Sequence, residues 1–186
     1  SALEVKPMLC IGHRGAMGYR PENTLASFSL ALEMGCPWVE LDVYCVGREI
    51  LVIHDDRLDR TTNGKGRLAN QSLPYLRGLD AGSGQQIPLL AEVVDLINRR
   101  GGINVELKGS GTAGPVCELL EQYVANGWDR DQFLISSFDH DELARTDARF
   151  RRGALFGRRS RGNLVAKAKR LDAWSINLDL ARANQA

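Results

Sequence analysis

Segments with the apolar pattern of β-strands alternate with segments that have the apolar pattern of α-helices along almost the whole chain. In the helical segments, apolar residues recur three and four positions apart. Strands that alternate with helices favour βαβ units and a parallel sheet. The strands are predicted at residues 8–12, 38–44, 103–108, 133–136, 153–156 and 173–176.

Cap and breaker residues set the predicted limits of the helices. Asn23 is predicted as the N-cap of the first helix, and Gly35 is predicted to end that helix. Pro88 and Pro115 are predicted to open two later helices, because proline is favoured in the first turn.

One further strand and one long polar stretch interrupt this alternation. Residues 50–53 follow a turn and are interpreted as a hairpin extension of strand 38–44, so six strands count toward the parallel sheet. Residues 57–87 are polar and rich in Gly, Asn and Thr. They are predicted to form a long loop or a small insertion.

Length, charge and cysteine use narrow the class of protein. The chain has 186 residues, and we treat residues 1–186 as a single domain. A net charge of +1 gives no overall field that would attract nucleic acid. No apolar run is long enough to span a bilayer. The four cysteines lack a Cys-x-x-Cys pair, which favours reduced thiols and a cytoplasmic location.

Two of the predicted strands carry acidic residues on one face and aliphatic residues on the other. Glu40 and Asp42 are two residues apart in strand 38–44, so both side chains point the same way. Glu106 occupies a similar position in strand 103–108. The aliphatic face must pack against helices, so the carboxylates point into the interior of the fold.

Buried carboxylates need a positive partner, because an unpaired buried charge costs several kcal/mol. Three converging carboxylates form a hard oxygen site suited to Mg²⁺ or Ca²⁺. The alternative is that Glu40 and Asp42 form structural ion pairs with Arg14 and Lys108.

Histidines follow two of the predicted strands. His13 comes at the end of strand 8–12, and His54 comes at the end of strand 50–53. Parallel barrels build their active sites where strands end. Phosphodiester cleavage needs a base, an acid and cations on the phosphoryl oxygens, and these residues supply all of them. His140 is instead assigned to the surface or to helix capping.

Seven arginines form a basic stretch that is interpreted first as a solvated surface. The last three follow strand 153–156, so they are alternatively placed at the mouth of the site, where they would attract an anionic substrate. The stretch comprises Arg145, Arg149, Arg151, Arg152, Arg158, Arg159 and Arg161.

The order of the motifs resembles that of the glycerophosphodiester phosphodiesterases. The resemblance extends from about residue 9 to the end of the chain. It rests on the ordered set, since a lone His-Arg-Gly would be weak. The set comprises His13-Arg14-Gly15, Pro21-Glu22-Asn23-Thr24, Glu40-Leu41-Asp42, His54-Asp55, Arg60-Thr61-Thr62-Asn63-Gly64, Glu106-Leu107-Lys108 and Ser137-Phe138.

The resemblance implies a TIM (β/α)8-type barrel related to phosphatidylinositol-specific phospholipase C. Residues 57–87 would be the small insertion after the second strand that marks this family. Six predicted strands are two short of a closed barrel. We therefore expect a barrel that is incomplete at its C-terminus, and a natural protein longer by two βα units, or roughly 50–60 residues.

The resemblance also implies an activity, which is the hydrolysis of glycerophosphodiesters to sn-glycerol 3-phosphate and an alcohol with a divalent cation, Mg²⁺ or Ca²⁺. By the same resemblance, the metal ligands would be Glu40, Asp42 and Glu106. The acid–base pair would be His13 and His54, with His13 as the base. The substrate contacts would be Arg14 and Lys108 on the phosphate and Phe138 at the glycerol.

Two other functions are left open by the sequence. One is a phospholipase D-like hydrolase of lysolipids or sphingolipids, which would need an apolar rim that the polar segment 57–87 does not favour. The other is an inactive fragment that binds a phospho-ligand, although no motif residue is substituted. The leading interpretation is a small-molecule glycerophosphodiester substrate, with no nucleic acid and no stable membrane insertion. The oligomeric state is not predicted.

Overall fold

The structure, a computed structural model, describes residues 8–179. Its strands are β1 (Ile11–His13), β2 (Trp38–Val46), β3 (Glu49–Val52), β4 (Gly102–Leu107), β5 (Phe133–Ser137), β6 (Arg151–Phe156) and β7 (Ser175–Leu178). They form one sheet in the order β1-β2-β4-β5-β6-β7, in which all neighbours are parallel. β3 pairs antiparallel with β2. The predicted parallel sheet of six strands is therefore confirmed.

The sheet curves as an incomplete barrel. In the part of the chain that the structure describes, β1 and β7 stand at the two ends of the strand order and do not pair with each other. Apolar side chains of and beside β7 are open to water, with 55% of Trp174, 39% of Ile176 and 38% of Leu178 exposed. The predicted incompleteness of the barrel is confirmed.

Helices cover the outer face of the sheet. They are α1 (Leu25–Glu33), α2 (Leu73–Arg77), α3 (Leu90–Ile97), α4 (Ala113–Ala125), α5 (His140–Ala144) and α6 (Leu164–Arg170), with short 3₁₀ turns at Leu68–Asn70 and Arg130–Gln132. The main core lies between helices and sheet, where Val39, Leu41 and Val43 of β2 are fully buried. None of the helices between residues 8 and 179 is long and apolar enough to cross a bilayer.

Three predicted helix starts are displaced by a few residues. The N-cap of α1 is Thr24, whose hydroxyl accepts the backbone N–H three residues on. Asn23 instead adopts a left-handed conformation with φ 57°. α3 is capped at Leu89, after Pro88, and α4 begins before Pro115. Asn23 and the two prolines thus lie within one or two residues of the observed helix starts, which is the usual uncertainty of such boundaries.

The β2–β3 hairpin extends beyond the part of β2 that pairs with the barrel strand β4, and β3 then runs back along β2. Residues 38–43 of β2 pair with β4, whereas residues 43–46 pair with β3. The backbone N–H of Ile53 then donates to the carbonyl of Asp42 at 3.0 Å. The predicted hairpin is confirmed. His54 therefore follows an antiparallel strand, as the hairpin interpretation expects, and not one of the six parallel strands.

The segment 57–87 is more than a polar loop, because it has a small core of its own. This second core packs against the hairpin and is separate from the main one. Its leucines show no sustained helical or strand period, because only Leu73, Leu76 and Leu79 recur three residues apart, and this is why the sequence pattern missed it. Its buried members are Leu51, Ile53, Leu58, Leu68, Leu76, Leu79, Ala81 and Ile87.

His140 and the first four arginines of the basic stretch have structural contacts. The Nε2 atom of His140 lies 3.0 Å from the carbonyl oxygen of Leu155, and Asp139 caps α5 instead. The assignment of His140 to the surface or to capping is therefore wrong. Arg145, Arg149, Arg151 and Arg152 bond to Glu142, Asp147, Asp131 and the Thr146 hydroxyl respectively.

We expect the second core to carry real packing energy. Leu76 is fully buried in it, so Leu76→Ala should lower the free energy of unfolding by about 2–5 kcal/mol, measured by urea denaturation. Leu73→Ala, at a partly buried position of the same helix, is the matched control and should cost less. Equal losses in the two variants would show that segment 57–87 is not packed as described.

Candidate active site

Strand register brings three carboxylates together at the carboxyl end of the sheet. Asp42 lies opposite Glu106 in the β2–β4 pairing, and Glu40 lies opposite His13 in the β1–β2 pairing. The exposed fractions of Glu40, Asp42 and Glu106 are 6%, 1% and 9%. One carboxylate oxygen of each lies within 4.8 Å of those of the other two. This spacing allows three oxygen ligands to meet one cation.

Each carboxylate accepts hydrogen bonds from the described residues through only one of its two oxygens. Arg14 donates its backbone N–H to Glu40 Oε2 at 2.9 Å. Lys108 Nζ donates to Glu106 Oε1 at 2.8 Å. The Asp42 Oδ2 atom accepts from an Asn23 side-chain amide at 2.9 Å, and Arg14 Nε lies 3.4 Å from it. The ion pairs considered as an alternative to metal binding therefore exist for Asp42, with Arg14 at 3.4 Å and with Lys108 at 3.7 Å, but among the described residues neither cation forms an ion pair with Glu40.

The other carboxylate oxygens of the cluster show that it lacks a further positive partner within residues 8–179. Glu40 Oε1 and Asp42 Oδ1 are buried and have no hydrogen-bond partner among the described residues. Burial and the neighbouring Asp42 raise the pKa of Glu40 to about 8, and burial raises the pKa of Glu106. Unsatisfied buried oxygens in a hard donor set fit a divalent cation, which would remove the repulsion between them.

The two predicted histidines flank this cluster. His13 Nε2 lies 3.8 Å from Glu40 Oε2, and the His13 side chain is 61% exposed. Partial burial and the Arg14 charge lower the pKa of His13, which favours its neutral form. His54 Nδ1 lies 2.5 Å from Asp55 Oδ1, and its Nε2 lies 3.3 Å from Lys108 Nζ. These contacts assign the proton of neutral His54 to Nδ1.

A cavity of about 560 Å³ opens over the cluster. Lys108 Nζ lies 5.9 Å from the ring centroid of Phe138, whose side chain is 56% exposed at the rim. The structure thus brings all eight predicted site residues to one face, with Asp42 in the acidic cluster beneath the cavity. The other seven line it: His13, Arg14, Glu40, His54, Glu106, Lys108 and Phe138. Arg158, Arg159 and Arg161 are not among the lining residues that the structure describes.

Two asparagines at the site were not predicted. Asn23, expected as a helix cap, holds both the carboxylate and the backbone N–H of Asp42. Asn104 is buried, lines the cavity and accepts from the Ser136 hydroxyl at 2.8 Å. Asn104 could have been found from sequence, because it shares the polar face of β4 with Glu106. The role of Asn23 depends on a tertiary contact that no local pattern shows.

The fold and the site together define a (β/α)-barrel protein with a buried acidic cluster, which could hold a metal ion, beside two histidines. A family profile described as the Glycerophosphoryl diester phosphodiesterase family matches residues 13–178. The chain belongs to that family, which confirms the family predicted from the motifs.

Individual relatives agree with this assignment. The chain is 45% identical over 128 residues to YhdW of Bacillus subtilis, a match that covers 62% of this chain and 53% of YhdW. It is 37% identical over 145 residues to a glycerophosphodiester phosphodiesterase of Caldanaerobacter subterraneus, covering 73% of this chain and 60% of the relative. The chain thus spans between half and two thirds of the length of these relatives.

Solved structures resemble the fold over nearly all of this chain. A phosphodiesterase of Oleispira antarctica, solved in complex with its product sn-glycerol-3-phosphate, aligns with a TM-score of 0.80 at 31% identity. The alignment covers 94% of this chain and 78% of that one. The TIM-barrel fold class predicted from sequence is confirmed.

The raised pKa of Glu40 predicts a pH-dependent instability of the metal-free protein. Since the folded pKa is about 8 and the ordinary value is 4.5, folding favours the protonated carboxyl. This contribution to stability is complete below pH 4.5 and is lost as the pH rises through 8. Glu40→Gln stays neutral, so its Tm relative to wild type should rise between these two pH values.

Thermal unfolding in the presence of EDTA measures this difference. Glu118→Gln, at an exposed glutamate of α4, is the matched control and should show no such trend. A Tm difference between Glu40→Gln and wild type that stays constant from pH 4.5 to pH 8 would contradict the strained cluster.

Proposed function

We propose that this protein hydrolyses glycerophosphodiesters to sn-glycerol 3-phosphate and an alcohol with the help of a divalent cation. One observation carries the proposal, which is that an acidic cluster, two histidines and two cationic side chains share one cavity of about 560 Å³. Family membership supports the reaction class. The Oleispira relative, which holds sn-glycerol-3-phosphate, supports the product.

Glu40, Asp42 and Glu106 would hold the cation. Their donor atoms are all carboxylate oxygens, which suits Mg²⁺ or Ca²⁺ better than a softer metal. When bound, such an ion would offset the negative charge of the phosphodiester and that of the carboxylates. Two of these oxygens have no hydrogen-bond partner among residues 8–179, so the site has capacity for it.

Arg14 and Lys108 would bind the phosphate group. Both lie within 4 Å of the acidic cluster and line the cavity, so they can reach the same phosphoryl oxygens. Phe138, at the rim beside Lys108, offers an apolar surface for the glycerol carbons. The cavity lining is otherwise mostly polar, which favours a small head group over an acyl chain and argues against a lysolipid hydrolase.

The two histidines would share the proton transfers. His13 is the base for the attacking water, because its lowered pKa leaves it neutral and able to accept a proton. His54 is the acid for the leaving alkoxide, with Nε2 facing the cavity because Asp55 occupies Nδ1. The oxygen of the attacking water forms the new P–O bond and its proton goes to His13, as the P–O bond to the alcohol breaks. The alcohol leaves with the Nε2 proton of His54, which acts in its imidazolium form and keeps its Nδ1 proton toward Asp55.

The cellular setting belongs to the same proposal. The substrate is a small molecule, and a cytoplasmic location follows from the sequence interpretation of the cysteines as reduced thiols. The whole of residues 1–186 acts as one catalytic domain.

Removing either catalytic histidine should slow the reaction strongly. His13→Ala and His54→Ala should each lower kcat on glycerophosphocholine by about 10²–10⁴-fold, which is the usual contribution of general acid–base catalysis. His140→Ala is the control, because His140 is not among the described residues that line the cavity. Near wild-type kcat in either active-site variant would remove that histidine from the mechanism.

Activity should depend on a divalent cation. Protein treated with EDTA and dialysed should lose turnover of glycerophosphocholine, and Mg²⁺ or Ca²⁺ should restore it. Asp42→Asn should not be restored at the same concentration, since Asp42 contributes one of the unpartnered oxygens. Full turnover after rigorous metal removal would rule the cation out.

A further inference from the structure

Arg60 binds two carboxylates at once, and both belong to loops of the site. Its Nε donates to Asp55 Oδ2 at 2.6 Å, and its Nη2 also reaches Asp55 Oδ1 at 3.1 Å. Its Nη1 and Nη2 atoms donate to the two oxygens of Glu22, each at 2.8 Å. A guanidinium can hold two carboxylates in this bidentate way because its donors are planar and fixed.

Each of these carboxylates has a second partner that lines the cavity. Glu22 Oε1 accepts from Arg14 Nη1 at 2.9 Å. Asp55 Oδ1 lies 2.5 Å from His54 Nδ1. Five charged or titratable groups therefore form one chain of contacts, Arg14–Glu22–Arg60–Asp55–His54, which joins the loop after β1 to the loop after β3.

We propose that Arg60 is a positioning residue, which orients His54 by fixing Asp55 against the Glu22–Arg14 pair. The proposal rests on the proposed function, in which Nε2 of His54 must face the leaving oxygen. An imidazole held only by a free aspartate could rotate, whereas an aspartate that is itself held on both oxygens fixes the ring plane.

Charge and burial support this arrangement. The hydrogen bond with Arg60 lowers the pKa of Asp55 to about 2, and Arg60 also lowers the pKa of Glu22. Both carboxylates stay ionised at neutral pH, so the chain of contacts persists there. The Glu22 side chain is only 14% exposed and that of Asp55 27%, so solvent screens these pairs less than pairs on an open surface.

Arg60 connects the segment 57–87 to the active site. None of the described residues that line the cavity lies in this segment. Leu58 is fully buried in the second core, and its carbonyl accepts from the Thr62 backbone and hydroxyl, which fixes the turn that carries Arg60. The segment thus affects the site through the contacts of Arg60 with Asp55 and Glu22, and not through direct contact with the substrate.

The competing interpretation is a surface ion pair with no effect on catalysis, since Arg60 is 48% exposed. The dependence of kcat on the leaving group distinguishes the two interpretations. A choline alkoxide needs a proton from His54, whereas p-nitrophenolate leaves without one. Arg60→Gln should lower kcat about tenfold or more on glycerophosphocholine and within about threefold on the p-nitrophenyl ester of glycerol phosphate.

Arg67→Gln is the matched control. Arg67 lies in the same segment and pairs with Asp56, the neighbour of Asp55, at 3.0 Å. It should leave both substrates within about twofold of wild type, as an exposed ion pair does. Arg60→Lys keeps the charge but loses the paired hydrogen bonds to the two carboxylates. Its kcat should therefore also fall on glycerophosphocholine and change little on the aryl ester.

A second measurement does not use activity. ¹⁵N NMR of the imidazole should show neutral His54 protonated at Nδ1 in the wild type and a mixture of tautomers in Arg60→Gln. If wild type cleaves neither ester, the proposed function fails, yet the spectrum still tests Arg60. The inference is overturned if Arg60→Gln, or Arg60→Lys should Arg60→Gln not fold, keeps both the wild-type tautomer and the wild-type ratio of rates.

Discussion

The burial of three carboxylates at one point of a parallel sheet is the constraint on which the rest of this structure depends. Register between β2 and β4 sets Asp42 beside Glu106, and the alternation along β2 adds Glu40 two residues away. Repulsion among these charges is not fully offset by Arg14 and Lys108, because two oxygens have no hydrogen-bond partner between residues 8 and 179. Without a cation the cluster is therefore destabilised, and a divalent ion would remove that repulsion.

The surroundings of the cluster come in part from segments outside the six parallel strands. A hairpin that folds back from the rim delivers His54, and a segment with its own core delivers Arg60. β1 ends at His13, and the turn that follows it carries Arg14. The three carboxylates thus lie on strands, whereas Arg14, His54 and Lys108 lie just beyond strand ends and are held there by ion pairs and hydrogen bonds.

The sequence predicted the strands and the acidic cluster because both depend on local patterns. Alternation along β2 and β4 identifies the inward carboxylates before any contact is known, and the family motifs locate His13 and His54. The second core could not be predicted, since its leucines follow no sustained period, and the contact of Asn23 with Asp42 depends on a fold that brings distant residues together. His54 follows the returning strand of the predicted hairpin, so a strand outside the parallel series also ends at the site.

Proton release on cation binding tests the central claim most directly. With the pKa of Glu40 raised to about 8, the metal-free cluster holds a proton at neutral pH that a bound divalent cation must displace. Calorimetric titration with Mg²⁺ or Ca²⁺ in buffers of different ionisation enthalpy measures that proton. The account predicts one cation per chain with release of up to about one proton in the wild type, and markedly less release in Glu40→Gln. Binding without proton release, or no binding at all, would contradict it.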